Sequence, residues 1–136
     1  MTNSLRSELT NLLMCILLVL ALVFLFIFPR NYLNDLLDDI NIYANNTKIG
    51  IEEDNGDKII ENTQKMVDRF QKSSSILKLF LNHEDVDELE LYIQSCYYTA
   101  KTDQKEYPVI IDNLENILQK CKYLFDVETF TVYNLF

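Results

Sequence analysis

The distribution of apolar residues divides the chain into two unlike parts. From Leu12 to Phe28 the sequence reads LLMCILLVLALVFLFIF, which contains no polar side chain. Extended back to Leu9, this segment has about the 20 residues that a helix needs to cross roughly 30 Å of hydrocarbon. A helix that is apolar all round has no face to turn toward water, and a chain this short has too little protein to surround one. The segment therefore predicts a membrane-spanning helix.

The residues around this segment predict an anchor that is not cleaved. Phe28 is followed by PRNY, which lacks the small residues that signal peptidase requires. The basic residues Arg6 and Arg30 flank the segment almost equally, so the Lys/Arg rule gives only a slight preference for a cytoplasmic N-terminus. We expect a short tail and transmembrane anchor over residues 1–29 and a soluble domain over residues 30–136.

The first half of the soluble part predicts two helices and a loop. Apolar residues recur at helical spacing from Tyr32 to about Asn45, and this helix is expected to continue from the anchor, with a kink near Pro29. Both glycines and a polar cluster predict a loop from Asn45 to Gly56, after which Asp57 is expected to cap the next helix. The buried stripe of that helix is predicted to contain Ile59 or Ile60, Thr63, Met66 or Val67, Phe70, Ser74, Leu77 and Leu81, with a bend possible at the serines.

The second half predicts an antiparallel helical hairpin. Capping boxes begin at Asp85 and Asp103, and Pro108 then falls in a first turn, where its missing N–H costs little. Apolar residues at alternating steps of three and four form a seam on each helix. The seams are Val86, Leu89, Ile93, Cys96 and Ala100 on one helix, and Ile110, Leu114, Ile117, Cys121 and Leu124 on the other, widened by Ile111, Leu118 and Phe125.

These patterns together predict an all-α protein, in which an N-terminal transmembrane helix is followed by an antiparallel four-helix bundle-like soluble domain. The C-terminal sequence DVETFTVYNLF is expected to form a short helix or an extended segment. Its apolar residues Val127, Phe130, Leu135 and Phe136 are expected to pack back onto the bundle.

The net charge of the chain argues against two classes of binding partner. The chain has 136 residues, 12 of them basic and 21 acidic, for a formal net charge of -9. Residues 1–29 contain only Arg6 and Glu8 as charged residues, so the whole excess of negative charge lies on residues 30–136. Such a domain is repelled by nucleic acid and by anionic lipid headgroups. We expect the bundle to stand off the membrane and to bind no nucleic acid.

Residues that could carry chemistry are few. His83, Glu84 and Asp87 are weak candidates for a divalent-cation or hydrolytic site, but on one helix these side chains diverge, and there is no second His for a zinc pair. We favour a capped helix start at this position, and we predict no catalytic residue and no cofactor. Cys96 and Cys121 are predicted to be buried free thiols, because their offset along the hairpin is too long for a disulfide.

Tyrosines beside the hairpin seams are candidates for contact with another protein. Tyr97, Tyr98 and Tyr107 are the interaction candidates that we single out, because Tyr buries a large area at low entropic cost. Flanking of the core is the alternative role for these residues.

Four features of the chain occur together: the N-terminal anchor, the acidic helical region, the segment LFLNHEDVDELE from Leu79 to Glu90 and the ending Asn134-Leu135-Phe136. In these features the chain resembles an uncharacterised bacterial family of short membrane-anchored helical proteins, known as domain of unknown function family four-three-six-three. The resemblance implies a single-pass protein with its helical domain outside the cytoplasm, and it implies no activity.

The sequence therefore predicts a non-enzymatic, single-pass protein of the cell membrane. Leu12–Phe28 is expected to contact the lipid bilayer, and the acidic domain to act as a protein-interaction module at the cell envelope. The partner is unknown, and a homo-oligomer remains open. Two alternatives also remain: the cation-binding or hydrolytic site at His83, and a small accessory subunit of a larger membrane complex.

Overall fold

The protein folds into four helices. The computed structural model describes the backbone of residues 2–103 and 105–133, and the side chains of residues 7–25, 27–103 and 105–127. The helices are α1 (Thr2–Glu52), α2 (Gly56–Phe80), α3 (His83–Thr102) and α4 (Tyr107–Tyr133), and the described residues contain no strand. The predicted all-α class, with an apolar N-terminal helix and a four-helix bundle, is confirmed.

The four helices form a closed antiparallel ring. Helix α1 packs against α2, α2 against α3 and α3 against α4, and α4 returns to contact α1. Short connections between consecutive helices make this up-and-down order the simplest way to bury all four apolar stripes. Among the described side chains of α1, only those that follow Phe28 take part in the core.

The bundle core consists of the residues that the helical spacing predicts. All ten seam residues of the α3–α4 hairpin are buried, and Leu118 and Phe125 pack against them half-buried. On α1 the buried residues include Leu33, Leu36, Leu37, Ile40 and Ala44. On α2 they are Ile59, Asn62, Thr63, Met66, Val67, Phe70, Ser73 and Leu77.

Helix α2 differs from its predicted stripe in its second half. Ser73 is buried where Ser74 was predicted, because the Ser73 hydroxyl joins a polar contact with Tyr32 of α1. Leu81 is only half-buried and is the C-cap residue of α2. The helix runs without a break through the three serines.

The predicted loop from Asn45 to Gly56 is wrong, because α1 continues to Glu52. Thr47 is buried, and its hydroxyl donates a hydrogen bond to the carbonyl of Tyr43 one turn earlier. Gly50 is a helical residue at a close helix approach, since a Cβ atom there would lie 3.0 Å from Ile59 Cγ1. The polar cluster therefore forms a last helical turn, and the connection shortens to residues 53–55, where Asp54 has a φ of 52°.

The predicted N-cap residues of α2 and α3 are also wrong, because an asparagine that precedes each predicted aspartate caps the helix. The Asn55 side chain accepts a hydrogen bond from the Lys58 backbone N–H, so α2 begins before Asp57. The Asn82 side chain likewise accepts from the Glu84 N–H, so α3 begins at His83 and Asp85 lies within its first turn.

Asp103 ends α3 and does not begin α4. It is the C-cap residue of α3, and its side chain accepts from the Lys105 N–H within the turn. Helix α4 then begins at Tyr107, which places Pro108 in the first turn as predicted.

The C-terminal region continues as a helix. Helix α4 extends to Tyr133, so an extended segment over these residues is excluded. Val127, which was expected to pack on the bundle, is exposed. Ile111, which was expected to widen the seam, is 37% exposed. The predicted packing of Phe130, Leu135 and Phe136 lies outside the described side chains.

Candidate membrane anchor and interaction surface

The apolar segment of α1 has no packing partner among the described residues. Its large side chains from Leu9 to Phe28 are exposed wherever they are described, and only 6% of its most apolar window is buried. A core helix of the same composition would be buried on most sides. Among the described residues, one helix, the Ser7–Glu52 part of α1, is long and apolar enough to cross a membrane by length and composition.

The junction between this segment and the bundle is continuous helix. Pro29 lies inside α1 and is buried, and it cannot donate a hydrogen bond to the preceding turn because it has no N–H. A crevice at this point is lined by Pro29 and Leu33 from α1 and by Leu77, Phe80 and Leu81 from the end of α2. The bundle therefore begins within one residue of the end of the apolar segment.

A polar cluster ties α1 to α2 just beyond this junction. Arg69 Nε lies 2.6 Å from Asp39 Oδ2, and Arg69 Nη1 donates to Ser73 Oγ at 2.6 Å. Tyr32 Oη also donates to Ser73 Oγ, at 3.0 Å, and the Arg69 guanidinium lies 5.9 Å from the centre of the Tyr32 ring. Burial lowers the pKa of Arg69, but the bonds to Asp39 and Tyr32 outweigh burial and raise it. The cluster fixes the register of the two helices.

A second polar cluster ties α3 to α4. The Lys120 ammonium lies 2.6 Å from Asp85 Oδ1 and also pairs with Glu88, whose other oxygen accepts from the Tyr92 hydroxyl. The hydrogen bond from Lys120 is the main cause that lowers the pKa of Glu88. For Lys120, burial lowers the pKa, and the two carboxylates more than compensate and raise it. Every charged group in this cluster therefore has a partner within the bundle.

The residues proposed for a cation site do not converge. His83 and Glu84 are exposed at the start of α3, and the Asp87 carboxylate lies 2.6 Å from the Lys78 ammonium of α2. Among the described side chains, no group of three His, Cys, Asp or Glu residues could hold a metal ion. The geometry around His83 is that of a capped helix start joined to α2 by an ion pair.

The three candidate interaction tyrosines lie in different surroundings. Tyr98 is 68% exposed on the outer face of α3. Tyr97 is half-buried against the core, and the Lys101 ammonium lies 5.7 Å from its ring centre. The Tyr107 hydroxyl donates to Asp54, which raises the pKa of Tyr107 and joins α4 to the α1–α2 connection. Of the three, Tyr98 alone has a side chain turned mainly to solvent.

Sequence reasoning missed Leu91, which lies two helical turns before Tyr98. Leu91 is 65% exposed, and the spacing of seven residues places it on the same side of α3 as Tyr98. Its position outside the Val86–Ala100 seam was a signal in the sequence, because an off-seam Leu has no core position to fill. We call Leu91 and Tyr98 the outer α3 face.

Both hairpin cysteines are buried free thiols, as predicted. Burial raises the pKa of Cys96 and of Cys121 to about 12 each. Neither thiol is therefore a reactive nucleophile at neutral pH.

Comparison of the chain with protein-family models, curated proteins and solved structures finds no match. The resemblance to the uncharacterised membrane-anchored family stays a prediction.

Proposed function

We propose that the protein is a single-pass membrane protein that holds an acidic four-helix bundle beside the bilayer and acts through protein–protein contact. The observation that carries the proposal is the change of burial along α1. One continuous helix has exposed apolar side chains up to Phe28 and buried ones from Leu33 onward. Exposed leucine and phenylalanine over about five helical turns are costly in water, and a bilayer removes that cost. In this proposal the protein has no catalytic role.

The proposed orientation has the N-terminus inside the cell and the bundle outside the cytoplasm. The slight preference that the Lys/Arg rule gives for a cytoplasmic N-terminus and the family resemblance support it. Reporters fused to the C-terminus test it: alkaline phosphatase, which is active only outside the cytoplasm, should be active, and a cytoplasm-dependent fluorescent protein should be dark. The reverse pattern would contradict the orientation and leave the anchor standing.

The outer α3 face is the surface that we propose for the partner. Leu91 and Tyr98 are exposed apolar side chains on the outer side of a bundle helix, and exposed Tyr is typical of contact surfaces. The net charge of -9, which lies on the bundle side of the chain, favours a partner with a basic contact surface.

Site-specific photocrosslinking in native membranes tests this surface. A photoreactive amino acid at Tyr98 should give a discrete adduct, and the same group at exposed Gln71 on α2 should not. Leu91→Asp should abolish the adduct, whereas His83→Ala should leave it unchanged. Equal adducts at both positions, or loss with His83→Ala alone, would count against the outer α3 face. An adduct of twice the chain mass would identify a second copy as the partner.

A further inference from the structure

We infer that the last turn of α2, just before the connection to α3, is a second membrane contact, in which Leu79 and Phe80 enter the interfacial region of the bilayer. The inference rests on the proposed anchor and adds a second point of attachment to it. Among the described residues outside the apolar segment, Leu79 is the most exposed large apolar side chain, at 77%, and Phe80 is 41% exposed. Neither side chain fills a core position.

The register of α1 and α2 places this turn at the membrane boundary. Asp39 pairs with Arg69, and Tyr32 bonds Ser73, so the two helices run antiparallel with α2 descending toward the anchor. Antiparallel helices rise equally per residue, so six further residues on α2 bring Leu79 level with about residues 26 to 29 of α1. That level is the last turn of the apolar segment.

Direct packing at the junction agrees with this register. Phe80 and Leu81 line the same crevice as Pro29, the first residue after the apolar segment. Because α1 is one continuous helix, any surface level with its last apolar turn meets the same surroundings as that turn. In the proposed membrane, Leu79 therefore contacts the bilayer at the boundary between headgroups and hydrocarbon.

The polar residues around the turn suit this depth. The Lys78 ammonium is neutralised by Asp87 at 2.6 Å, and the exposed polar residues Asn82, His83 and Glu84 follow at the start of α3. Exposed apolar side chains next to polar and charged ones match the interfacial region, where apolar groups are immersed about 5–10 Å deep while polar groups stay among the headgroups. The net negative charge of the domain does not oppose this contact in a zwitterionic membrane.

Single tryptophans test the inference, because the natural chain has none. The full chain is reconstituted in phosphatidylcholine vesicles whose acyl chains carry bromine either near the headgroup or near the bilayer centre. The test variant is Leu79→Trp. The control is Ile42→Trp, at an exposed apolar residue of α1 that lies fourteen residues beyond the apolar segment, and Leu20→Trp reports on the anchor itself.

We expect Leu79→Trp to show a blue-shifted emission maximum and a loss of intensity that is larger with shallow bromine than with deep bromine. Ile42→Trp should lose no intensity, and Leu20→Trp should lose most with deep bromine. If Leu20→Trp is quenched and Leu79→Trp is not, the anchor stands and the second contact is refuted. A blue shift at Leu79→Trp without quenching would mean that protein covers the turn, which also overturns the inference. If Leu20→Trp is not quenched, the proposed anchor fails, and the second contact fails with it.

Discussion

The assignment of faces on α3 can be tested with one substitution made at two neighbouring positions. Leu89 is fully buried and Leu91 is 65% exposed, although both lie on the same helix, two residues apart. Leu→Ala at a buried position removes apolar contacts and leaves a cavity, which costs about 2–5 kcal/mol. The same change at an exposed position is expected to stay within about 0.5 kcal/mol, and its effect on helix propensity is shared by both variants.

Urea unfolding of the full chain in mild detergent measures this difference. With a slope of about 2 kcal/mol/M, a loss of about 3 kcal/mol for Leu89→Ala lowers the midpoint by about 1.5 M, whereas Leu91→Ala lowers it by less than about 0.3 M. Circular dichroism follows the bundle, because the anchor stays helical in the micelle. Equal midpoints, or a larger loss for Leu91→Ala, would refute the burial of Leu89 and the exposure of Leu91 on α3.

Three further predictions concern caps, charge and thiols. Asn55→Ala and Asn82→Ala should each cost about 1 kcal/mol of unfolding free energy, while Asp57→Ala should cost less, because the asparagines cap α2 and α3. The pKa of Glu88 is lowered mainly by Lys120, so the associated stability is present above the unfolded carboxyl pKa of about 4.3 and is lost as the pH falls through the lower folded value. The urea midpoint of the native chain should therefore drop below about pH 4.3, and Lys120→Met should flatten that drop; an unchanged profile would contradict the ion pair. In a Cys15→Ser variant, which removes the exposed third thiol, Cys96 and Cys121, with pKa values of about 12, should resist maleimide at neutral pH until urea unfolds the bundle; rapid labelling of that folded variant would contradict their burial.

The core of the bundle could be predicted from sequence because its signal is periodic. On α3 and α4, apolar residues recur at steps of three and four, and each seam residue is buried. The apolar segment was equally clear, since an unbroken run needs no knowledge of the fold. These features depend on the local repeat of the helix alone.

The features that could not be predicted depend on contacts between helices. The segment after Asn45 looks like a loop in isolation, but in the fold it is the last part of α1, where Thr47 is buried and Gly50 closely approaches Ile59 of α2. The capping residues were displaced by two or three positions, because several side chains near each helix start can act as the acceptor. Ser73 is buried through bonds with Arg69 and Tyr32, which lie on the same helix and on α1.

The candidate surface was predicted only in part for the same reason. Tyr98 is exposed, but the Tyr97 ring packs on the core and the Tyr107 hydroxyl is engaged by Asp54. The side chain of a tyrosine beside a seam can point toward the core or toward solvent, and its neighbours on adjacent helices determine the direction. Leu91 differs from the tyrosines, because its position outside the seam already favours exposure.

Alkaline carbonate extraction of membranes from cells that produce the chain with an N-terminal epitope tag tests the central claim most directly. A retained anchor over Leu12–Phe28 predicts that the full-length, tagged chain stays in the membrane pellet. Release of the chain into the supernatant, or a shortened chain that has lost the tag, would contradict the claim that α1 holds the bundle in the membrane.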